Sequence, residues 1–336
     1  MNTVKIEFDN KGSSEVSKRK LIIDTDPGID DAIALMLVEA SGVFELMGLT
    51  AVYGNSSLQN TVKNLSFLRD LYKMNCNIAV GASRSILVSK PTGEDANGLN
   101  GLGGYSYPAP TASIVDKWAW DFIYETAKDC EGDLELLTLG PLTNIATAVL
   151  KYPMLAEIIK KITVMAGSSG AGNATPYAEY NAYRDAHALS VVLEAGFRDL
   201  VIVDLRCCMT GYLTDAECDR MLIVKSHLGP VYEQMRLYQR KYRNELIKEN
   251  AALRELFEGK NVFCDSVAAA VAVKNETEDM KPYYVGCEVQ SSINYAQTVI
   301  DWNSRFNRKP NARLASEVNR DEFSAMVFDS FNFFKQ

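Results

Sequence analysis

The sequence predicts an α/β fold: a single domain with a Rossmann-like, mostly parallel central sheet flanked by helices. Three observations lead there. Apolar strand-like runs alternate with helical runs, the pattern of right-handed β-α-β crossovers. Those runs end in acidic or small residues, as residues 21–26, 44–53 and 134–139 do at Pro27-Gly28, Gly54-Asn55 and Gly140-Pro141. No linker-like stretch interrupts residues 20–336, which are taken as the domain, while residues 1–19 read as a flexible leader.

Leu21-Ile22-Ile23 runs into Asp24-Thr25-Asp26, and Pro27-Gly28 turns the chain into a helix carrying Asp30 and Asp31 in its first turn, where acids suit the helix dipole. Residues 44–53 form the second strand, 58–74 a helix and 77–80 a short strand. Strand 134–139 and helix 143–150 follow. Residues 158–165 lead into Gly167-Ser168-Ser169-Gly170-Ala171-Gly172-Asn173, a loop that no helix tolerates. Residues 200–205 give another strand. Two stretches break the rhythm: 90–110 is rich in Gly, Asn and Pro, and 214–260 is mainly helical with Tyr232, Tyr238 and Tyr242. Ligands of open α/β sheets bind at the carboxyl ends of strands, and long excursions there wall pockets.

The 336 residues carry 35 basic and 43 acidic side chains, a formal net charge of −8. That charge argues against a general nucleic-acid or anionic-membrane binder. No apolar run reaches the ~18 residues of a membrane span, and residues 1–20 lack the apolar core of a secretion signal. Seven cysteines at irregular spacing, with no CxxC pair, argue against a disulfide framework or structural zinc and fit a reducing cytoplasm. Only His187 and His227 are available to histidine chemistry, and both are expected to be structural or on the surface.

The sharpest signal is Asp24-Thr25-Asp26-Pro27-Gly28-Ile29-Asp30-Asp31: four carboxylates in eight residues. Strand periodicity puts Asp24 and Asp26 on one side, and the turn brings Asp30 and Asp31 back to the same end. Such a cluster is either partly protonated or gathered around a cation, and calcium is the hard ion that best tolerates an irregular oxygen cage. Helix capping by Asp30 with solvated neighbours is the alternative. Asp24 and Asp26 also suit an aspartate-nucleophile phosphohydrolase of haloacid-dehalogenase type. Those enzymes want Thr or Val where this chain has Gly28, and Asp30-Asp31 would go unexplained.

The octet closely resembles the signature of the inosine–uridine-preferring nucleoside hydrolases. Gly54-Asn55, Gly140-Pro141-Leu142-Thr143-Asn144-Ile145-Ala146, Met165, Gly172-Asn173, Thr175-Pro176, Ala178-Glu179-Tyr180-Asn181, Asp301-Trp302 and Pro310-Asn311-Ala312 are similar to further elements of that family, in order. The resemblance implies the nucleoside hydrolase fold and cleavage of the N-glycosidic bond of ribonucleosides by water, giving base and ribose for purine or pyrimidine salvage. It implies a calcium ion held by Asp26, Asp31, Asp265 and the main-chain carbonyl of Leu139, with Asp26 as general base toward the water the ion activates. Asp30, Asn55, Asn173, Glu179, Asn181 and Asp265 would grip the ribose hydroxyls, with Met165 close to the sugar. Relatives form homodimers and homotetramers, so self-assembly is expected.

Two positions depart from the pattern. Many members carry His before the late calcium-binding Asp, as the acid that helps the base leave; here the residue is Cys264, either a thiol donor or a small packed residue. Where the family commonly has His-Gly-x-x-Gly-Leu-Gly, this chain has Asn97-Gly98-Leu99-Asn100-Gly101-Leu102-Gly103, and Asn97 hydrogen-bonds without carrying positive charge. Tyr238 and Tyr242, four apart on one helical face, are candidates to stack on the base or simply to pack. A non-enzymatic nucleoside or ribose binder that has lost its acid is the second functional reading.

Overall fold

The computed structural model describes residues 17–111, 114–248, 250–276 and 280–335. In chain order it forms β1 (Arg19–Thr25), α1 (Ile29–Ser41), β2 (Phe44–Ala51), α2 (Leu58–Leu71), β3 (Ile78–Val80), α3 (Glu94–Asn97), β4 (Ile114–Trp118) and α4 (Ala119–Asp129). Then come β5 (Leu134–Thr138), α5 (Thr143–Lys151), α6 (Leu155–Ile158), β6 (Ile159–Met165), α7 (Tyr180–Arg184), α8 (Ala186–Glu194), β7 (Leu200–Val203) and α9 (Leu205–Cys208). The last third gives β8 (Tyr212–Thr214), α10 (Asp215–Ile223), α11 (Gly229–Lys248), α12 (Ala251–Phe257), β9 (Lys260–Val262) and α13 (Cys264–Lys274). It ends with β10 (Lys281–Tyr283), β11 (Val285–Cys287), β12 (Thr298–Ile300), β13 (Ala312–Ala315) and α14 (Arg320–Phe333).

Nine strands make one sheet in the order β10-β13-β7-β6-β5-β1-β2-β3-β4. All its pairs are parallel except β10 with β13. The chain runs outward from β1 through β2, β3 and β4, then returns to lay β5 on the other side of β1. Strand order therefore reverses at β1, and the carboxyl ends of β1 and β5 flank the crevice where such sheets take their ligands.

β1 reads as a continuous apolar run because it is buried on both faces. Leu21 and Ile23 enter the layer of α1, α2, α13 and α14, and Ile22 enters the layer of α4, α5 and α8. α1 is buried almost all round, since it packs on α13 and α14 as well as on the sheet. That explains why Ala32-Ile33-Ala34-Leu35-Met36-Leu37-Val38 has no polar face.

The strands at 21–26, 44–53, 134–139 and 158–165 are found within a residue or two of their expected bounds. β1 opens at Arg19, whose guanidinium pairs with Glu135 on β5 and donates to Ala272 O (2.8 Å), so the last residue assigned to the leader is part of the sheet; residues 1–16 lie outside the described set. β4 went unforeseen: it is a short edge strand with Ile114 and Trp118 exposed, so no burial pattern marks it. Stretch 214–260 divides into α10, α11, α12 and β9. Among the described residues, no helix is long and apolar enough to cross a membrane.

Candidate active site

The crevice is built from the ends of β1, β2 and β5. Asp24 stays inside the sheet. Its carboxylate accepts from Thr50 Oγ1 and from Asn144 Nδ2 (2.7 Å). Asn144 also bonds Ala51 O (3.1 Å) and Ala82 N (2.8 Å), so it laces the exits of β1, β2 and β3 together. Burial pushes the Asp24 carboxyl up to about 7, against the effect of those bonds. It is as buried as Asp26, and its Oδ2, like Asp26 Oδ1, has no hydrogen-bond partner; what separates the two is position, Asp24 lying within β1 between β2 and β5 and Asp26 just beyond the strand end.

Asp26, two residues on, emerges at the strand end. Asn55 N donates to its Oδ2 (2.7 Å). Its Oδ1 is buried without a hydrogen-bond partner. Two glycines make room for this side chain: a β-carbon on Gly54 would lie 2.0 Å from Asp26 Oδ2, and one on Gly140 2.5 Å from Oδ1. Burial first, and then the charge of Asp31, raises its pKa well above the usual carboxylate range.

Asp31, in the first turn of α1, accepts from Thr25 Oγ1, Gly28 N (2.8 Å) and Asn55 Nδ2 (3.0 Å). Asn97 accepts from Ile29 N (2.9 Å) and donates to Asn55 Oδ1 (2.9 Å). These amides approach so closely because residue 28 is Gly: a β-carbon there would lie 2.7 Å from both Asn55 Nδ2 and Asn97 Oδ1. Asn97 is thus a brace for Asn55 and for the start of α1. Asp30 and Asp31 meet Asp265 from the first turn of α13, their oxygens within 4.8 Å of one another. Burial is the largest cause raising all three; Asp265 further feels Asp30, Asp31 and Asp26, and Asp30 rises to about 6.

Leu139, one residue before the Gly140 that abuts Asp26, accepts at its carbonyl from Asn181 Nδ2 (2.6 Å). Asn181 Nδ2 also bonds Met165 O (3.0 Å) and contacts Met165 Sδ (3.3 Å), tying α7 to the ends of β5 and β6. Glu179 caps α7: Asn181 N (2.8 Å), Ala182 N (3.0 Å) and Gly167 N (2.9 Å) donate to it, yet burial still lifts it to about 7. Asn173 lies exposed in the loop between β6 and α7, its N–H on Ala178 O (3.1 Å), outside this packed group.

Cys264, partly exposed, opens α13 next to Asp265, and its carbonyl accepts from the buried Cys208 thiol (3.7 Å). Tyr238, on α11, donates to Asp95 O (3.0 Å) in α3. Tyr242, one turn further along, is half buried and feels the charge of Asp95. Both tyrosines therefore stand over the segment that carries Asn97.

Several contributors had no role assigned from sequence: Thr25 and the bracing Asn144 lie inside the quoted motifs, while Asp204 and Thr298 lie outside them. Asp204 caps α9 at Cys207 N (2.9 Å) and accepts from Ser169 N (2.5 Å), and Thr298 Oγ1 accepts from Ser168 N (3.2 Å); together they shape the loop after β6. Two late motifs are structural. Asp301 accepts from Arg305 N (2.7 Å) and Phe306 N (2.8 Å), while Asn311 binds both Val285 N (2.8 Å) and Leu193 O (3.0 Å). His227 Nε2 meets Leu71 O (3.0 Å) and His187 lies beside Tyr295, both as expected of structural residues.

A ring of buried carboxylates, each raised above its ordinary pKa, with one partnerless oxygen and a main-chain carbonyl, is an all-oxygen donor set. It fits a hard divalent cation, whose charge would offset the mutual repulsion.

The family model described as inosine-uridine preferring nucleoside hydrolase matches residues 21–325. An uncharacterized protein of Schizosaccharomyces pombe is 31% identical over 313 residues, covering 92% of this chain and 98% of its own. The pyrimidine-specific ribonucleoside hydrolase RihB of Escherichia coli is 28% identical over 316 residues, covering 93% and 96%. The structure of the purine-preferring ribonucleoside hydrolase from Gardnerella vaginalis superimposes with a TM-score of 0.84 at 25% identity, covering 93% of this chain and 98% of that one. The chain belongs to the inosine-uridine preferring nucleoside hydrolase family, whose members are metal-dependent N-glycosyl hydrolases.

Proposed function

We propose that this protein hydrolyses the N-glycosidic bond of ribonucleosides to free base and ribose in nucleoside salvage, with calcium in the carboxylate cage and Asp26 as general base. The observation that carries the reading is Asp26 itself: a buried carboxylate with one oxygen fixed by Asn55 N and the other without a partner, beside Asp30, Asp31 and Asp265. Calcium, when bound, makes a nearby water more acidic and holds it in place. Asp31, Asp265, Asp26 and Leu139 O are the ligand set, an irregular mixture of carboxylates and a carbonyl that suits calcium better than magnesium.

Asp26 takes the proton of the attacking water at Oδ1, while Asn55 N keeps Oδ2 aimed. Asp30, Asn55, Glu179, Asn181 and Asp265 bind the ribose hydroxyls, with Met165 close to the sugar and Asn173 joining them from the exposed loop after β6. As the bond to the base breaks, positive charge grows on the sugar, and this carboxylate-rich wall favours it. Asn97 keeps Asn55 in register. Cys264 stands where a proton for the departing base is needed, and Tyr238 and Tyr242 face that base. Seven unpaired cysteines suit a cytoplasmic enzyme, and assembly into a homodimer or homotetramer is part of the same reading.

The test is release of free ribose from a panel of purine and pyrimidine ribonucleosides, with and without chelator. Release that chelator abolishes and calcium restores is expected; no release from any nucleoside refutes it. The absence of histidine at both 97 and 264 favours a second reading, a nucleoside or ribose binder without turnover. That reading requires binding of ribose without hydrolysis even of p-nitrophenyl riboside, whose leaving group needs no proton.

A further inference from the structure

α11 touches both walls of the leaving-group side. On one face, Gln234 Nε2 donates to Gly103 O (2.7 Å) and Tyr238 to Asp95 O (3.0 Å), gripping the 94–104 segment that carries Asn97. On the other face, Arg236 and Arg243 are seven residues apart, two helical turns, and point the same way. Arg236 Nη2 donates to Asp215 Oδ1 (2.6 Å) and its Nη1 to Asn261 Oδ1 (2.7 Å). Arg243 Nη1 and Nη2 donate to Asp215 Oδ1 (2.8 Å) and Oδ2 (3.0 Å), and Nη1 also reaches Asn261 Oδ1 (3.0 Å) and Lys260 O (3.3 Å).

Asn261 lies in the middle of β9, three residues before Cys264. Its Nδ2 donates to Asp215 Oδ1 (3.1 Å) and Leu213 O (3.1 Å). One carboxylate therefore joins two arginines of α11 to the strand that delivers Cys264 and Asp265. Arg236 and Asn261 are buried, so this is no solvent-screened surface pair. At about 100° per residue, Tyr238 projects about 140–160° away from the two arginines and Tyr242 about 100–120°, so both leave the arginine face. Of the cage residues only Asp265 follows β9, and it sits on α13, which is held by its own packing on α1 and β6; those on β1, α1, the 54–55 turn and α7 make no bond to this network.

We propose that Asp215, through Arg236, Arg243 and Asn261, is a positioning residue for leaving-group recognition: it sets where α11 places Tyr238 and Tyr242 relative to Cys264, without touching the sugar or the ion cage. The proposal rests on the hydrolase reading above, in which those side chains meet the base. The arginines hold the Asp215 carboxyl well below the usual carboxylate range, Arg243 contributing most, so the hub stays charged through the physiological range.

The experiment compares the intact protein with Asp215→Asn, Arg243→Met and the conservative Asp215→Glu. It reads kcat and KM for ribonucleosides, competitive inhibition by free ribose, calcium affinity by calorimetry, and thermal unfolding. Asp215→Asn and Arg243→Met are expected to raise the nucleoside KM about tenfold, while ribose inhibition and calcium affinity stay within about twofold and Asp215→Glu recovers most of the loss. Parallel loss of ribose, calcium and nucleoside binding would make the network merely structural and overturn the proposal, as would an unchanged nucleoside KM. If the wild-type protein hydrolyses no nucleoside, the hydrolase reading fails separately. Calorimetric nucleoside binding to the same variants then reads the same tenfold shift or its absence.

Discussion

Gly54 lies so close to Asp26 that a β-carbon on it would fall 2.0 Å from the Asp26 carboxylate. The contact explains why the residue that ends the β2 exit is Gly although its φ is ordinary: the need is space, not backbone freedom. Gly54→Ala is expected to displace Asp26 and lower kcat about 100-fold, the scale of loss when a catalytic group moves by about 1 Å, while the ion-free fold stays intact. Undiminished steady-state turnover in that variant would remove Asp26 from the reaction.

Stability should depend on pH in a way set by the cage. Asp24 and Glu179 keep their protons up to about 7, and burial pushes Asp26 and Asp265 up as well. Unfolded carboxyls release theirs near 4. Between about pH 4 and 7 the folded, ion-free chain binds more protons than the unfolded one, so its stability falls as pH rises through that window. Melting curves with chelator should show this decline, and calcium should reverse it most strongly at neutral pH. A chelated protein whose Tm is flat or rising over this range would contradict the cage.

In the proposed mechanism Cys264 supplies the proton to the departing base. Cys264→Ala is expected to lower turnover of natural ribonucleosides about 100-fold and to leave p-nitrophenyl riboside nearly untouched, because only the natural bases need a proton to depart. Equal losses on both substrates would assign Cys264 a packing role.

Asn144 makes three hydrogen bonds at the strand exits, those to Asp24 and Ala51 O fully buried and that from Ala82 N partly so. Asn144→Ala should cost about 2–4 kcal/mol in urea unfolding, since Asp24 keeps only its bond from Thr50 and Ala82 N loses its side-chain acceptor. A loss under about 1 kcal/mol would show that the strand exits are held by the sheet alone.

The octet from Asp24 to Asp31 was legible because its chemistry is local: a strand, a Pro-Gly turn and a helix start within a few residues. Its division of labour was not. Asp24 and Asp26 look equivalent in sequence and are equally buried; only the fold separates them, Asn144 from α5 holding one within the sheet while Asn55 and two glycines surround the other at the strand end. Asn97 had a motif position, but its bond to Asn55 crosses 42 residues and has no sequence trace. β4 was invisible because an exposed edge strand has no apolar alternation. The α11 network was hidden for a similar reason: Arg236 and Arg243 look like any solvated helix charges until Asp215 and Asn261 close over them.

The packing of α1 against α13 and α14 has a consequence for synthesis on the ribosome. α1, the first helix among the described residues, has no polar side to show water, and its covering comes from residues 264–333. Until those residues emerge, Asp30 and Asp31 wait without Asp265, and the exposed apolar helix is a target for chaperones. The three carboxylates of the candidate cation site thus come together only once residue 265 has been made, and a product cut short before residue 264 lacks one of them and is prone to aggregate.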